Sequence, residues 1–191
     1  VAHSSDGAGR DVNRRAGVLL HPTSLPGHYG VGDLGDELIA FLDWAASAGM
    51  HVWQVLPLNP PGYGYSPYGC VSSFAGNPLL ISPRRLVEQE LLPGSALENT
   101  PNFPDDHADF DAVTHFKGGL LRKSLEHFEA NARSEQRTAL KRFERDNKWL
   151  GDWALYAALK EKHAGEQWTA WPPELARREK EAMAAAHVDL A

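Results

Sequence analysis

The chain has 191 residues, 42% hydrophobic and 23% charged, with a formal net charge of −6, which fits one moderate domain with a real core and excludes a disordered, charge-rich tract. The negative balance also excludes a general phosphate-backbone binder, because basic pairs such as Arg84-Arg85 and Arg177-Arg178 are short and read as helix surface. Cys70 is the single cysteine, so neither an intrachain disulfide framework nor a thiolate metal site is expected, and a reducing compartment is.

Residues 1–14 are polar and bear Ser and Gly; they are expected to form a disordered leader. They contain no apolar core of a secretory signal, and nothing in the chain approaches the ~18 continuous apolar residues of a membrane span. The run Val18-Leu19-Leu20, stopped by His21-Pro22, predicts a buried strand entering a loop. Next comes "GDLGDELIAFLDWAASAGM", where Leu38, Phe41, Leu42 and Ala45 recur at helical spacing, Asp33 is placed to cap and Gly49 to stop. "HVWQVLPL", residues 51–58, predicts a second, mostly buried strand. Strand, helix, strand makes a βαβ unit with parallel, adjacent strands.

In parallel α/β architectures ligands meet the carboxyl ends of the strands. The loops at residues 21–32 and 59–78 are therefore candidate walls of one cavity. Further on, Ser82-Pro83 starts a helix running to about Leu91; residues 93 to 113 read as an irregular crossing, and 113–132, 135–163 and 172–187 as helices. One βαβ unit followed by helices is an incomplete α/β fold. A (β/α)8 barrel takes about 250 residues, so the order fits its opening portion with a helical insertion, and the chain reads as truncated.

Chemistry is sparse in the residues themselves. "GHYGVGDLG" matches a dinucleotide fingerprint only loosely, so no cofactor is expected and a nucleotide-binding βαβ domain lacks its phosphate site. The nine histidines form no HExxH pair or comparable cluster, so no metal is expected. His21 ends a strand, where it either lines a pocket or serves as a satisfied structural histidine. The segment "PPGYGYSPYGCVSSFAGNP", residues 60–78, sets Tyr63, Tyr65 and Tyr68 in a loop. Such rings either cover the core or offer flat faces to sugar C–H surfaces with hydroxyls in reach of sugar oxygens.

The strings "LLHPTSLPG", "GVGDLG", "WQVLPLNPPGYG", "SPYG", "SSFAGNPLLI", "WALYAALK" and "WTAWPPEL" together resemble the N-terminal part of the amylomaltases, the 4-α-glucanotransferases also called disproportionating enzymes. The resemblance covers roughly residues 15–187. It implies the opening portion of a (β/α)8 barrel of the α-amylase-like clan: residues 15–92 would be the first βαβ unit with its active-site loops, and 93–191 a helical insertion. It implies transfer of an α-1,4-glucan segment to another glucan's 4-hydroxyl by a retaining double displacement. The family's nucleophilic Asp, acid/base Glu and second Asp stand in "R-x-D", "A-E-D-L-G" and "H-D-N" strings that this sequence does not show, so no catalytic residue is expected in it.

What the resemblance carries over is substrate binding. Tyr68 matches a tyrosine that stacks on glucose, Ser66 lies beside it, and Tyr63 matches an aromatic of a second glucan groove. Tyr65 departs from the Asp of "GYGDSPY" common in bacterial relatives, and Asn77-Pro78 looks like framework. Together with His21, these make a wall for maltooligosaccharides, with no nucleic acid or membrane partner. The chain alone is expected to be inactive, the competing reading being a non-catalytic maltooligosaccharide-binding module. The compartment implied is the cytoplasm for a bacterial source and the plastid stroma for a plant or alga.

Overall fold

The computed structural model describes residues 15–190; the expected leader at residues 1–14 lies outside them. Strand β1 (Ala16–Leu19) and strand β2 (Met50–Gln54) pair in parallel, with Gly17 opposite Val52, Val18 opposite Trp53 and Leu19 opposite Gln54. Helix α1 (Asp36–Ser47) makes the crossover that parallel strands require. Gly17 lets the strands close, since a Cβ there would lie 2.5 Å from the Val52 carbonyl oxygen. The ladder runs one residue further: Leu20 N–H donates to Gln54 O at 3.0 Å, and the Trp53 indole donates to Leu20 O at 2.8 Å. The strands were expected to be buried, yet Leu19 is 54% and Val52 45% exposed. Two short strands flanked by one helix bury little of their faces.

In α1, Leu38 and Ala45 are buried two turns apart on one face. Asp36 and Glu37 sit in its first turn, where carboxylates complement the helix dipole, and Gly49 ends it at φ +76°. The expected Asp33 cap is misplaced. The helix begins after Gly35, and Asp33 turns inward instead, 5% exposed, against the ammonium of Lys117.

Lys117 comes from α3 (Phe110–Asn131), whose N-terminus is capped by Asp109 accepting from Ala112 N–H at 3.0 Å. Val113, Lys117 and Leu120 form its buried stripe at helical spacing. Lys117 is 1% exposed and donates to Asp33 Oδ2 at 2.9 Å, Leu79 O at 2.8 Å and Ile81 O at 3.2 Å. Burial pushes its pKa down and that of Asp33 up; each partner's opposite charge works against the shift. Ser82 also turns its hydroxyl to Asp33 instead of capping α2 (Pro83–Glu88). Around this pair lies an apolar cluster of Val31, Leu79 and Val113, with Tyr65, Phe103 and Phe110 against it.

The helix expected over residues 135–163 is two helices, α4 (Ser134–Asp146) and α5 (Trp149–Lys162). Asn147 breaks it at φ −120°, ψ 75°, donating its amide to Phe143 O at 2.8 Å while accepting from the Trp149 indole at 3.2 Å. The last helix also divides, into α6 (Pro173–Ala176) and α7 (Lys180–Asp189). Leu155, Leu159, Trp171 and Ala186 make a second core there. No helix among the described residues is long and apolar enough to cross a membrane.

Replacing Lys117 by methionine strands Asp33 in an apolar setting. The unfolding free energy should fall by about 3–5 kcal/mol, read as a lower urea midpoint. By contrast Arg133→Ala, which breaks an exposed pair with Glu90, should change it by less than about 1 kcal/mol. Equal effects from the two substitutions would refute the buried pair's role.

Candidate functional site

The chain leaving β2 enters a loop that lacks regular structure but is tied to itself. Val71 N–H donates to Pro60 O at 3.0 Å, Gly62 N–H to Gly69 O at 2.8 Å, and Pro61 bridges Cys70 in antiparallel fashion. Within this clasp Gly69 N–H donates to Ser66 O at 3.0 Å and Tyr68 N–H to Ser66 Oγ at 3.4 Å. The return is fixed to the segment just beyond β2, which ends at Gln54 rather than running to Leu58. Asn77 N–H donates to Leu58 O at 2.8 Å, Asn59 Nδ2 to Ala75 O at 3.0 Å, and Asn77 Oδ1 accepts from Leu79 N–H at 3.0 Å. These bonds, with a short 3-10 turn over Tyr63–Tyr65, tie the loop to itself without an α-helix or an extended ladder.

Two of its tyrosine rings face solvent: Tyr63 is fully exposed and Tyr68 is 77% exposed. Tyr65 behaves differently. Its ring stacks on Phe110 at 5.1 Å between centroids, and its hydroxyl donates to Asp111 Oδ1 at 2.6 Å. Burial raises its pKa, as does the bond to the Asp111 carboxylate. It follows Gly64 (φ +69°) and is itself at φ +55°, a left-handed backbone that bulky side chains rarely adopt. The contacts to Phe110 and Asp111 hold it there, fastening the loop to the first turn of α3.

His21 stands at the end of β1. Its Nδ1 accepts from Thr23 N–H at 3.3 Å and from the Thr23 hydroxyl at 2.7 Å. That leaves the ring proton of the neutral form on Nε2, which is buried and unbonded among the described residues. Burial lowers the pKa of His21, partly opposed by the Pro57 carbonyl. The rest of that loop, Thr23 to Val31, walls a cleft of about 610 Å3 whose other side is Pro104 to Phe110. The two post-strand loops meet through the crossing segment and α3, by way of Tyr65 and Phe110, and this cleft is not walled by the exposed tyrosines.

Phe74, the loop's fourth aromatic ring, was not among the site residues expected from the sequence. It is 71% exposed and stacks on Trp149 of α5 at 6.0 Å between centroids. The signal for it was a lone aromatic among Ser, Ala and Gly in "SSFAG", which reads equally as a core anchor. No group of three or more His, Cys, Asp or Glu placed to hold a metal ion occurs among the described residues. The loop after β2 offers exposed aromatic faces and a serine hydroxyl, groups suited to a neutral, hydroxyl-bearing ligand.

Fold and site together define a mixed α/β chain that carries an aromatic, solvent-facing loop after a parallel strand. Comparison with known proteins agrees. The family model described as 4-alpha-glucanotransferase matches residues 20–191, and the chain belongs to that family. It is 43% identical over 171 residues to a 4-alpha-glucanotransferase of Synechocystis, covering 89% of this chain and 34% of the relative. It is 44% identical over 182 residues to that of Thermus thermophilus, covering 95% and 36%, and 44% identical over 174 residues to a chloroplastic/amyloplastic form from rice, covering 86% and 28%. Among solved structures it resembles an amylomaltase from Streptococcus agalactiae in complex with acarbose, with a TM-score of 0.84 and 31% identity, over 93% of this chain and 36% of that one. The chain thus spans about a third of the length of these relatives.

Two outcomes follow from the geometry. Tyr65→Phe keeps the stack but loses the bond to Asp111, so it should lower the unfolding free energy by about 1 kcal/mol, measured by urea denaturation; no change would show the bond idle. His21 should titrate below its ordinary value of 6.5, followed by its imidazole NMR resonance. Because the folded value is the lower one, its stabilising contribution is complete above pH 6.5 and lost as pH falls through the folded pKa. A midpoint at or above 6.5 would contradict the burial.

Proposed function

We propose that this chain forms the substrate-binding wall of a 4-α-glucanotransferase, which moves a segment of an α-1,4-glucan to the 4-hydroxyl of another glucan or of glucose. The observation that carries it is the internally tied loop after β2, which presents Tyr63 and Tyr68 to solvent. In this reading β1 and β2 open a (β/α)8 barrel, residues 15–92 carry the site loops, and 93–191 form a helical insertion. Family membership and the likeness to an amylomaltase solved with acarbose support it.

The reaction is a retaining double displacement. One carboxylate attacks the anomeric carbon and forms a glycosyl ester while a second, ~5–5.5 Å away, protonates the leaving oxygen and then deprotonates the acceptor hydroxyl. No Asp or Glu of this chain is assigned to either role. Its own residues bind and orient: Tyr68 lies flat against a glucose ring beside the scissile bond, Ser66 reaches a hydroxyl, and Tyr63 serves a second stretch of glucan. Tyr65 adds the edge of its ring, and His21 supports the wall at the end of β1. Orientation of this kind lowers the barrier by fixing the glucan before reaction. In this reading the chain works in the cytoplasm of a bacterium or the plastid stroma of a plant or alga, a reading that the bacterial and chloroplastic/amyloplastic relatives support.

Incubated with maltotriose, the 191-residue chain should release no glucose and make no longer oligomers; turnover seen by chromatography would sink the division of labour. Tyr68→Ala should weaken maltotriose binding by calorimetry about tenfold while the urea midpoint stays put, the ring being 77% exposed. Unchanged affinity would remove Tyr68 from the site.

A further inference from the structure

Among the described helices of ten residues or more, α4 alone has no buried residue. Its sequence, SEQRTALKRFERD, is nevertheless amphipathic. At helical spacing Gln136, Ala139, Leu140 and Phe143 fall on one face, and Leu140 is 42% and Phe143 49% exposed. A stripe of that kind ordinarily lies against a core. Here it is uncovered while both ends of the helix are held. At the start, the Arg133 side chain pairs with Glu90 at 2.8 Å, and the Arg137 guanidinium donates to the carbonyls of Glu129 and Ala132. At the end, Asn147 donates to Phe143 O.

The charges that flank the stripe say what fits it. On one side stand Glu135 and, two turns later, Arg142; on the other stand Arg137 and, two turns later, Glu144. Each flank therefore carries both signs, in opposite order along the helix. Arg137 meets backbone carbonyls, and Arg142 meets Asp146 at 3.6 Å, so both guanidinium groups keep donors for a further carboxylate. An anionic surface such as a membrane or a nucleic acid would be repelled by Glu135 and Glu144, and a neutral glucan would leave all four charges unmatched.

The pattern is complementary to its own reverse. With a two-fold axis beside Ala139 and Leu140, a second α4 laid antiparallel sets Glu135 of each copy against Arg142 of the other, and Arg137 against Glu144. The same axis lays Phe143 over Gln136 and Leu140 over the small Ala139 of the other copy, and it brings opposite ends of the two helix dipoles side by side. We propose that α4 is a self-docking surface on which a second copy of this chain pairs antiparallel through Leu140 and Phe143. Thirteen residues make a helix about 20 Å long, too short to cover the ~1,200–2,000 Å2 of a stable complex. The pair is therefore weak and reversible, with a dissociation constant of about 0.1 mM.

The test is sedimentation equilibrium of the 191-residue chain. Its average mass should climb toward twice the monomer value between about 10 µM and about 1 mM. Phe143→Ala, at an exposed site, should weaken association at least about tenfold. Glu135→Arg sets like positive charges against each other across the axis and Arg142→Glu sets like negative ones, so each variant alone should stay monomeric. Mixed in equal amounts, the two should pair with each other, because each then offers the charge the other lacks; circular dichroism should show both folded. A chain that stays monomeric throughout that range leaves the face to another segment or partner and overturns the proposal. So does association that survives Phe143→Ala and both charge reversals, which would place the contact elsewhere, as on the exposed strands. A mixture of the two reversals that fails to pair overturns it as well.

Discussion

The arrangement around the site depends on one buried cation. The ammonium of Lys117 reaches three acceptors from two separate stretches of chain: Asp33 after β1, and the carbonyls of Leu79 and Ile81 where the tyrosine loop returns. The two carbonyls each take one charge-assisted hydrogen bond, and Asp33 supplies the opposite charge. Together they fix α3, the post-β1 loop and the end of the post-β2 loop to a single point, 84 residues apart at the extremes. A hydrophobic residue of equal volume could fill the space, but it could not specify which carbonyls must converge there. The apolar cluster of Val31, Leu79 and Val113 then closes over a geometry already chosen.

That fixed point explains how a loop without regular structure presents rigid rings. The loop is clasped at its neck by Pro60, Gly62, Gly69 and Val71, fastened at its return through Asn59 and Asn77, and pinned at its tip by Tyr65 on α3. Little conformational freedom remains for Tyr63 and Tyr68 beyond rotation of their own side chains. A ligand that stacks on them orders little else, which is how an exposed surface acquires useful affinity.

Much of this was legible in the sequence. The apolar runs at 18–20 and 51–58, with the periodic stretch between them, gave the βαβ unit, because hydrophobic period and turn residues agreed there. Asp33 shows where local reading fails. Its spacing suits a helix cap, but a buried ammonium contributed by a residue 84 positions away outbids the local partner, and no window of sequence contains both. Asn147 is the milder case: a helix-tolerant residue in a long periodic stretch, whose side chain bonds Phe143 O and the Trp149 indole and so ends one helix and starts another. Of the site, the loop and its aromatic character were readable, whereas the division of labour among its tyrosines was not. Tyr65 and Tyr68 look alike in a string and differ only in what α3 brings near them. The strands' exposure was equally hidden, since an apolar strand reads as buried whether or not a neighbour covers it.

Tyr65 occupies a left-handed backbone that costs most residues roughly 1–2 kcal/mol and that Gly, Asn or Asp accept far more easily. Its position is tolerable because Phe110 and Asp111 compensate. Residues 65 and 111 therefore cannot drift independently. In a lineage with aspartate at position 65 the backbone is comfortable and a carboxylate at 111 would face a like charge; with tyrosine at 65, the acceptor at 111 becomes a requirement. In this chain the two positions are coupled, since a change at either one removes the bond that offsets the backbone cost at Tyr65.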